Sequence, residues 1–174
     1  PSKDATCLSG TTFEPDKSLD IVFISRITPM KNLLFLLQVL MLVKSNVKIS
    51  VYGPIRDFSY WDKCLSLIPN LPPNVQFVYL GKLMPDSVSS TCAEHHLFVL
   101  PTLGENYGHI LVEAMAHGIP FISNDTHPWV DIDIDLEGFI SPLNFIYQQS
   151  EMINHLYEID DKKYQEYRKK FFNF

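Results

Sequence analysis

Short, almost wholly apolar runs alternate along this chain with stretches in which apolar residues recur every three or four positions. "LDIVFIS" (Leu19–Ser25) is a continuous apolar run of strand length, as in a strand buried inside a parallel sheet. "VKISVYG" (Val47–Gly53), "VQFVYLG" (Val75–Gly81), "LFVLP" (Leu97–Pro101) and "IPFIS" (Ile119–Ser123) predict four more strands, and "GFISP" a short sixth. Helical patterns separate them: roughly 33–45, within "PIRDFSYWDKCLSLI", within "MPDSVSSTCAEH", 106–117, and Gln148 to the end. Asn32 is expected to cap the first of these helices, and Gly118 to close the fourth in a left-handed turn. Such an order predicts an α/β fold, a doubly wound, Rossmann-like, mostly parallel sheet of about six strands with helices on both faces. Residues 1–18 carry little periodicity and read as a linker or tail, leaving 19–174 as one domain.

Composition narrows the class. Hydrophobic content of 46% suits a packed globular core. The longest apolar run, "LLFLLQVLMLV", is broken by Gln38 and is too short to span a bilayer. The chain opens on Pro1 with no signal-peptide pattern, which predicts a fragment or a processed product. A net charge of −6 without a dense Lys/Arg stripe argues against nucleic-acid binding. The basic stretch "KKYQEYRKK" is interspersed with acidic and aromatic residues and reads as a solvated amphipathic helix. Cys7, Cys64 and Cys92 match neither a disulfide framework nor a zinc pattern, in keeping with a reducing, cytoplasmic setting.

In doubly wound folds ligands bind beyond the carboxyl ends of the strands. That rule selects Ser25–Lys31, Gly53–Arg56, Gly81–Leu83, Pro101–His109 and Asn124–Trp129. Arg26 and Lys31 lie across a Pro-containing turn, where a guanidinium fork and an ammonium point charge suit a diphosphate, or are simply exposed loop cations. In "GENYGHILVE" the glycines let a backbone approach a ligand, and the start of the helix presents amides to an anion. A carboxylate there would repel phosphate. Glu105 and Glu113 are therefore better suited to accepting hydrogen bonds from hydroxyls, of a sugar and of a ribose respectively, with plain helix-surface acids as the bland alternative. His109 is a candidate ligand contact, whereas His95 and His96 lie at the wrong end of the sheet and read as structural. There is no G-x-G-x-x-G after the first strand, no Walker lysine loop, no G-x-S-x-G elbow and no metal cluster.

These residues resemble the C-terminal, donor-binding domain of retaining glycosyltransferases of family 4 (group 1), which have the two-domain B fold. The resemblance covers roughly 19–170. The family's "GR-(4 residues)-KG" loop stands here as "SRITPMKN", its "Glu-x7-Glu" block as "ENYGHILVEAMAHGIPFI", and its "NVxFLG" strand as "NVQFVYLG". "LPTLGENYGH" with "SNDTHPW" is similar to a bacterial subset that builds surface polysaccharides.

The resemblance implies that a nucleoside diphosphate sugar is the substrate, with no cofactor and no metal. It implies that Arg26 and Lys31 hold the donor diphosphate, Glu113 the ribose, and Glu105 the donor sugar. Main chain from Asn106 through Tyr107, Gly108 and His109 to Ile110 would cradle diphosphate and sugar, with Gly53 also in the donor site and Leu83 at the base. It further implies an N-terminal acceptor-binding domain outside this fragment, peripheral membrane association of the full-length enzyme at the inner face, and little transfer by this domain alone. The final helix resembles the segment that crosses back to that domain, and its aromatic residues are expected to be partly exposed as a self-association patch. Ser25 and Asn32 replace the family's usual glycines, and Asn106 and His109 replace Gly and Leu, so donor preference does not carry over. A sugar-nucleotide epimerase and a non-enzymatic nucleotide- or partner-binding module are the rival readings.

Overall fold

The computed structural model describes residues 18–104, 108–124, 139–140 and 145–173. Five strands form one parallel sheet: β1 (Leu19–Ile24), β2 (Val47–Tyr52), β3 (Val75–Gly81), β4 (Leu97–Leu100) and β5 (Phe121–Ser123). Their order is β3-β2-β1-β4-β5. β1 is central, pairing Leu19 with Val47 on one side and Ile21 with Leu97 on the other. Its residues are buried except Asp20, as the apolar run requires for a strand covered on both faces. The sequence predicts a sixth strand at "GFISP". Among the described residues that region contributes a single parallel bridge, Ser123 to Ile140, and the sheet has five strands.

The helices are α1 (Leu33–Leu40), α2 (Phe58–Leu67), α3 (Val88–Ala93), α4 (His109–Ala116), α5 (Ile146–Glu158) and α6 (Asp161–Phe172). Connections run outward from β1 to β3, then return to β4 and β5. Right-handed crossovers therefore place α1 and α2 on one face and α3 and α4 on the other. α5 packs against α1, and α6 against α4.

Several boundaries differ from the sequence reading. α1 ends at Leu40 rather than near 45, and a turn closes it as Leu42 and Val43 donate to Val39 and Leu40. Asn32 precedes α1 but does not cap it: its φ is 58° and its side chain makes no capping bond. The first-turn amide of Leu34 instead donates to the Tyr60 hydroxyl of α2 at 2.8 Å, so a long-range partner does the work assigned to a local one. The expected C-terminal helix is two helices. Ile159 is extended between them, and Asp160 caps the second by accepting from Lys163 N–H at 2.8 Å. Gly118 does close α4, with φ 62° and Ile119 N–H reaching back to the Ala114 carbonyl at 3.0 Å, the bond of a Schellman turn.

The aromatic residues of α6 divide: Tyr167 and Phe172 are half-buried, as expected of a partly exposed set, and the other two are not exposed at all. Tyr164 and Phe171 are fully buried. Phe171 meets Phe121 and Phe139 edge to face at 5.1 and 5.2 Å, and the Tyr164 hydroxyl donates to His96 O at 2.8 Å. Each such burial is worth roughly 1.5–3 kcal/mol, which fixes α6 on the sheet.

Candidate functional site

The ligand-facing end of the sheet is built by main-chain ladders that continue past the strands. Ser25 N–H donates to Tyr52 O at 3.0 Å, Ile27 N–H to Pro54 O at 3.0 Å, and Arg56 N–H to Ile27 O at 3.2 Å. One strand further out, Gly53 N–H donates to Gly81 O at 2.7 Å, and the Tyr79 hydroxyl to Gly53 O at 2.8 Å. Gly53 has φ 141°, and a Cβ there would fall 1.7 Å from the Ser25 carbonyl oxygen. Only glycine allows the two loops to close this tightly.

The loop after β1 is in turn tied to the turn after β4. Met30 O accepts from Leu103 N–H at 2.8 Å. The Thr102 hydroxyl sits 2.8 Å from Gly104 O and 3.2 Å from Met30 O, and Asn124 Nδ2 donates to Thr102 O from the end of β5. Thr102 and Asn124 are fully buried. They lock three loops together, and neither was assigned a role from the sequence. The only trace was a hydroxyl and an amide standing where apolar strands stop, in "LPTLG" and "ISND".

Within this frame Arg26 is exposed, while Lys31 is buried to 9% exposure in a short 3-10 turn, Pro29–Lys31. The structure thus brings the loop bearing both cations against the turn that leads into α4. α4 opens after Gly108, whose φ is 63°. His109 is exposed at its first position, and Ile110 is half-buried against the core, which leaves main chain as its route to a ligand. Glu113 is half-buried on α4, which packs against α3. Its carboxylate is close enough to Cys92 to add to the effect of burial, and together they push that thiol up to about 12. Leu83 is half-buried beyond β3 and packs against the core edge. Glu105, Asn106 and Tyr107 lie outside the described residues, as does the 125–129 part of the loop after β5.

His95 and His96 are buried and hydrogen-bonded. His95 Nδ1 meets Thr91 O at 2.7 Å, and His96 Nδ1 accepts from Asp20 N–H at 2.9 Å. Among the described residues no group of three or more His, Cys, Asp or Glu is placed to hold a metal ion, and no helix is long and apolar enough to cross a membrane. A cavity of about 410 Å³ opens over the middle of β1–β3, lined by Asp20, Lys48, Ser50, Gln76, Glu94 and His95 among others. It contains none of the residues expected from the sequence, although its lining runs along β2 and β3 as far as Tyr52 and Leu80, next to Gly53 and Gly81.

The family model described as "Glycosyl transferases group 1" matches residues 9–172. The chain belongs to this family. No curated protein sequence matches it significantly. Among solved structures it is similar to the catalytic domain of cholesterol-alpha-glucosyltransferase from Helicobacter pylori, with TM-score 0.72 and 18% identity over 90% of this chain and 99% of that one. It is also similar to Anabaena HepE solved in complex with UDP-glucose, with TM-score 0.74 and 19% identity over 91% of this chain. TarM gives TM-score 0.73 and 24% identity over 90% of this chain. The chain spans 43% of the HepE chain and 31% of the TarM chain. At these identities the likeness establishes the fold, and the family assignment rests on the model match.

Proposed function

We propose that this group 1 glycosyltransferase domain binds a nucleoside diphosphate sugar and serves retaining transfer of the sugar to an acceptor hydroxyl. One observation carries the reading: the loop with Arg26 and Lys31 is hydrogen-bonded, through Met30 O, to the turn that feeds α4 and Glu113. Two cations, a helix start and a half-buried carboxylate thereby share one end of the sheet. The UDP-glucose bound to HepE supports the substrate class.

In this reading Arg26 forks onto diphosphate oxygens and Lys31 adds a point charge from a desolvated position, where its field is less screened. The first-turn amides of α4 add partial positive charge. Glu113 accepts from ribose hydroxyls, and Glu105 from the donor sugar. As the bond from the anomeric carbon to the leaving phosphate oxygen breaks, charge grows on the diphosphate, and the cations and amides stabilise it. The acceptor hydroxyl attacks from the same face and its proton passes to that phosphate. Removing one such group costs about 3–4 kcal/mol in the transition state. The scheme assigns this work to side-chain cations and assigns no metal. A separate acceptor-binding domain completes the enzyme, so this domain alone binds donor and transfers little. Synthesis of bacterial surface polysaccharide, with peripheral attachment at the inner face of the membrane, is the setting proposed for the whole enzyme.

The test is calorimetric titration of UDP, GDP and ADP into the domain, repeated with Arg26→Ala and Glu113→Ala. One nucleotide is expected to bind, and each substitution to weaken it. Absence of binding to all three, or wild-type affinity in both variants, would refute the assignment.

A further inference from the structure

The geometry points to Arg56 as a third cation of the donor phosphate site, reaching the same diphosphate from the β2 side. This deepens the proposed function and rests on it. The sheet ladder extends past β1 and β2 as a parallel bridge between Ile27 and Ile55, flanked by the bonds from Ile27 N–H to Pro54 O and from Arg56 N–H to Ile27 O. Side chains alternate along extended backbone. Ile27 is buried, while Arg26, just before it, and Arg56, just after Ile55, are both exposed. Both arginines occupy positions odd to the bridged pair, which puts them on one side of the two-stranded segment. With a rise of about 3.3 Å per residue and about 4.8 Å between strands, their Cα atoms are roughly 8 Å apart. Two arginine side chains converge from that spacing onto one phosphate.

The charge environment agrees. Neither arginine is in an ion pair among the described residues. The acid beside Arg56 is engaged in its own helix. Asp57 caps α2, with Oδ1 accepting from Tyr60 N–H and the Ser59 hydroxyl, both at 2.9 Å. Those two bonds, with Lys63 adding a smaller effect, hold its carboxyl below its ordinary value, and Arg56 is not among the causes. In a chain of net charge −6, two arginines with no ion pair among the described residues thus stand on neighbouring, hydrogen-bonded loops. Their mutual repulsion is relieved by a shared anion, and each fork matches the oxygens of a phosphate.

The experiment titrates UDP, UMP and uridine into wild-type protein and into Arg56→Ala, Arg56→Lys, Arg26→Ala and Lys48→Ala, with thermal melting of each. Lys48 is exposed at the opposite end of β2 and serves as the charge control. Arg56→Ala is expected to weaken UDP roughly tenfold, with Arg56→Lys intermediate and weak uridine binding unchanged. Lys48→Ala is expected to match wild type. UDP affinity within about twofold of wild type in Arg56→Ala, beside a clear loss in Arg26→Ala, overturns the role of Arg56 and leaves the donor-site reading standing. An equal loss for UDP and uridine also overturns it, since the effect would then be on the fold. If wild-type protein binds none of the three and neither GDP nor ADP, both readings fall.

Discussion

The carbonyl oxygen of Ser25 occupies the space where any side chain on Gly53 would begin, 1.7 Å from an ideal Cβ. Two loops at the ligand-facing end of the sheet therefore approach to backbone contact, and the contact depends on one residue type. Gly53→Ala must push the loops apart and strain a φ of 141° that alanine avoids. We expect a loss of about 2–4 kcal/mol in urea unfolding and a larger proportional loss in UDP affinity. An alanine variant with wild-type stability would contradict the close packing.

Thr102 offers a milder probe of the same frame. Thr102→Val keeps the volume and removes the hydroxyl that bonds Gly104 O and Met30 O. The one hydroxyl proton shared between these carbonyls is lost, while Met30 O keeps its bond from Leu103 N–H, and a cost of about 1–3 kcal/mol follows. Thr102→Ser, which restores the hydroxyl, is expected to recover most of it. Equal stability of the valine and serine variants would remove the hydroxyl from the account.

Arg168 is 1% exposed on α6, and its Nη2 donates to His117 O at the end of α4 at 3.0 Å. It joins the last helix to the one that carries Glu113. Arg168→Ala leaves a part-buried carbonyl short of a donor and opens a cavity, for an expected loss of about 2–4 kcal/mol. Chemical unfolding measures the loss, and nucleotide titration shows whether slack at the end of α4 reaches Glu113.

The buried thiols set an alkaline limit on stability. Burial pushes Cys64 up to about 11, and burial with Glu113 pushes Cys92 up to about 12, from an ordinary 9.0. Burial raises Tyr60 to about 12 as well. Below the ordinary thiol value these groups are protonated in both states, and their contribution is fully present. As pH rises beyond 9.0 the unfolded chain loses protons first, so stability falls until the folded thiols ionise near 11 and 12. Unfolding midpoints are expected to drop between about pH 9 and 11, less steeply in Cys92→Ala. A Cys92→Ala profile parallel to wild type would show that this thiol does not contribute.

His109 tests donor choice. It is exposed at the first position of α4, where the family commonly has leucine. His109→Leu is expected to leave UDP affinity within about twofold and to change the ranking of UDP-sugars. An unchanged ranking would place His109 outside the sugar pocket.

Much of the fold was legible because buried strands announce themselves. β3 runs from Val75 to Gly81, as the run "VQFVYLG" predicts, and "LDIVFIS" marks the central strand. Helix ends were harder, since their amides can be satisfied from afar. Asn32 looked like a cap, and Tyr60 performs that task from another helix. The burial of Phe171 was not legible because its partners, Phe121 and Phe139, are remote in sequence. In the candidate site, charged residues next to strand ends are visible in the sequence as candidates. Thr102, Asn124 and the carbonyl of Met30 are not, because their importance lies in which loops the sheet order makes neighbours. Arg56 was within a recognised loop, yet its relation to Arg26 follows from a one-residue register that composition does not encode.

The ladders that run past β1 and β2 have a kinetic meaning. Loops that order only around a ligand give up conformational entropy at the moment of binding, roughly 1–2 kcal/mol per residue of backbone. Here the main chain at Ser25, Ile27, Gly53 and Arg56 is already held by interstrand hydrogen bonds, so that loss belongs to folding. In the proposed donor site, a diphosphate meeting these four residues would have only their side-chain rotamers left to fix. Capture there is expected to proceed at a rate set by encounter and charge, with no loop closure around these four residues to wait for.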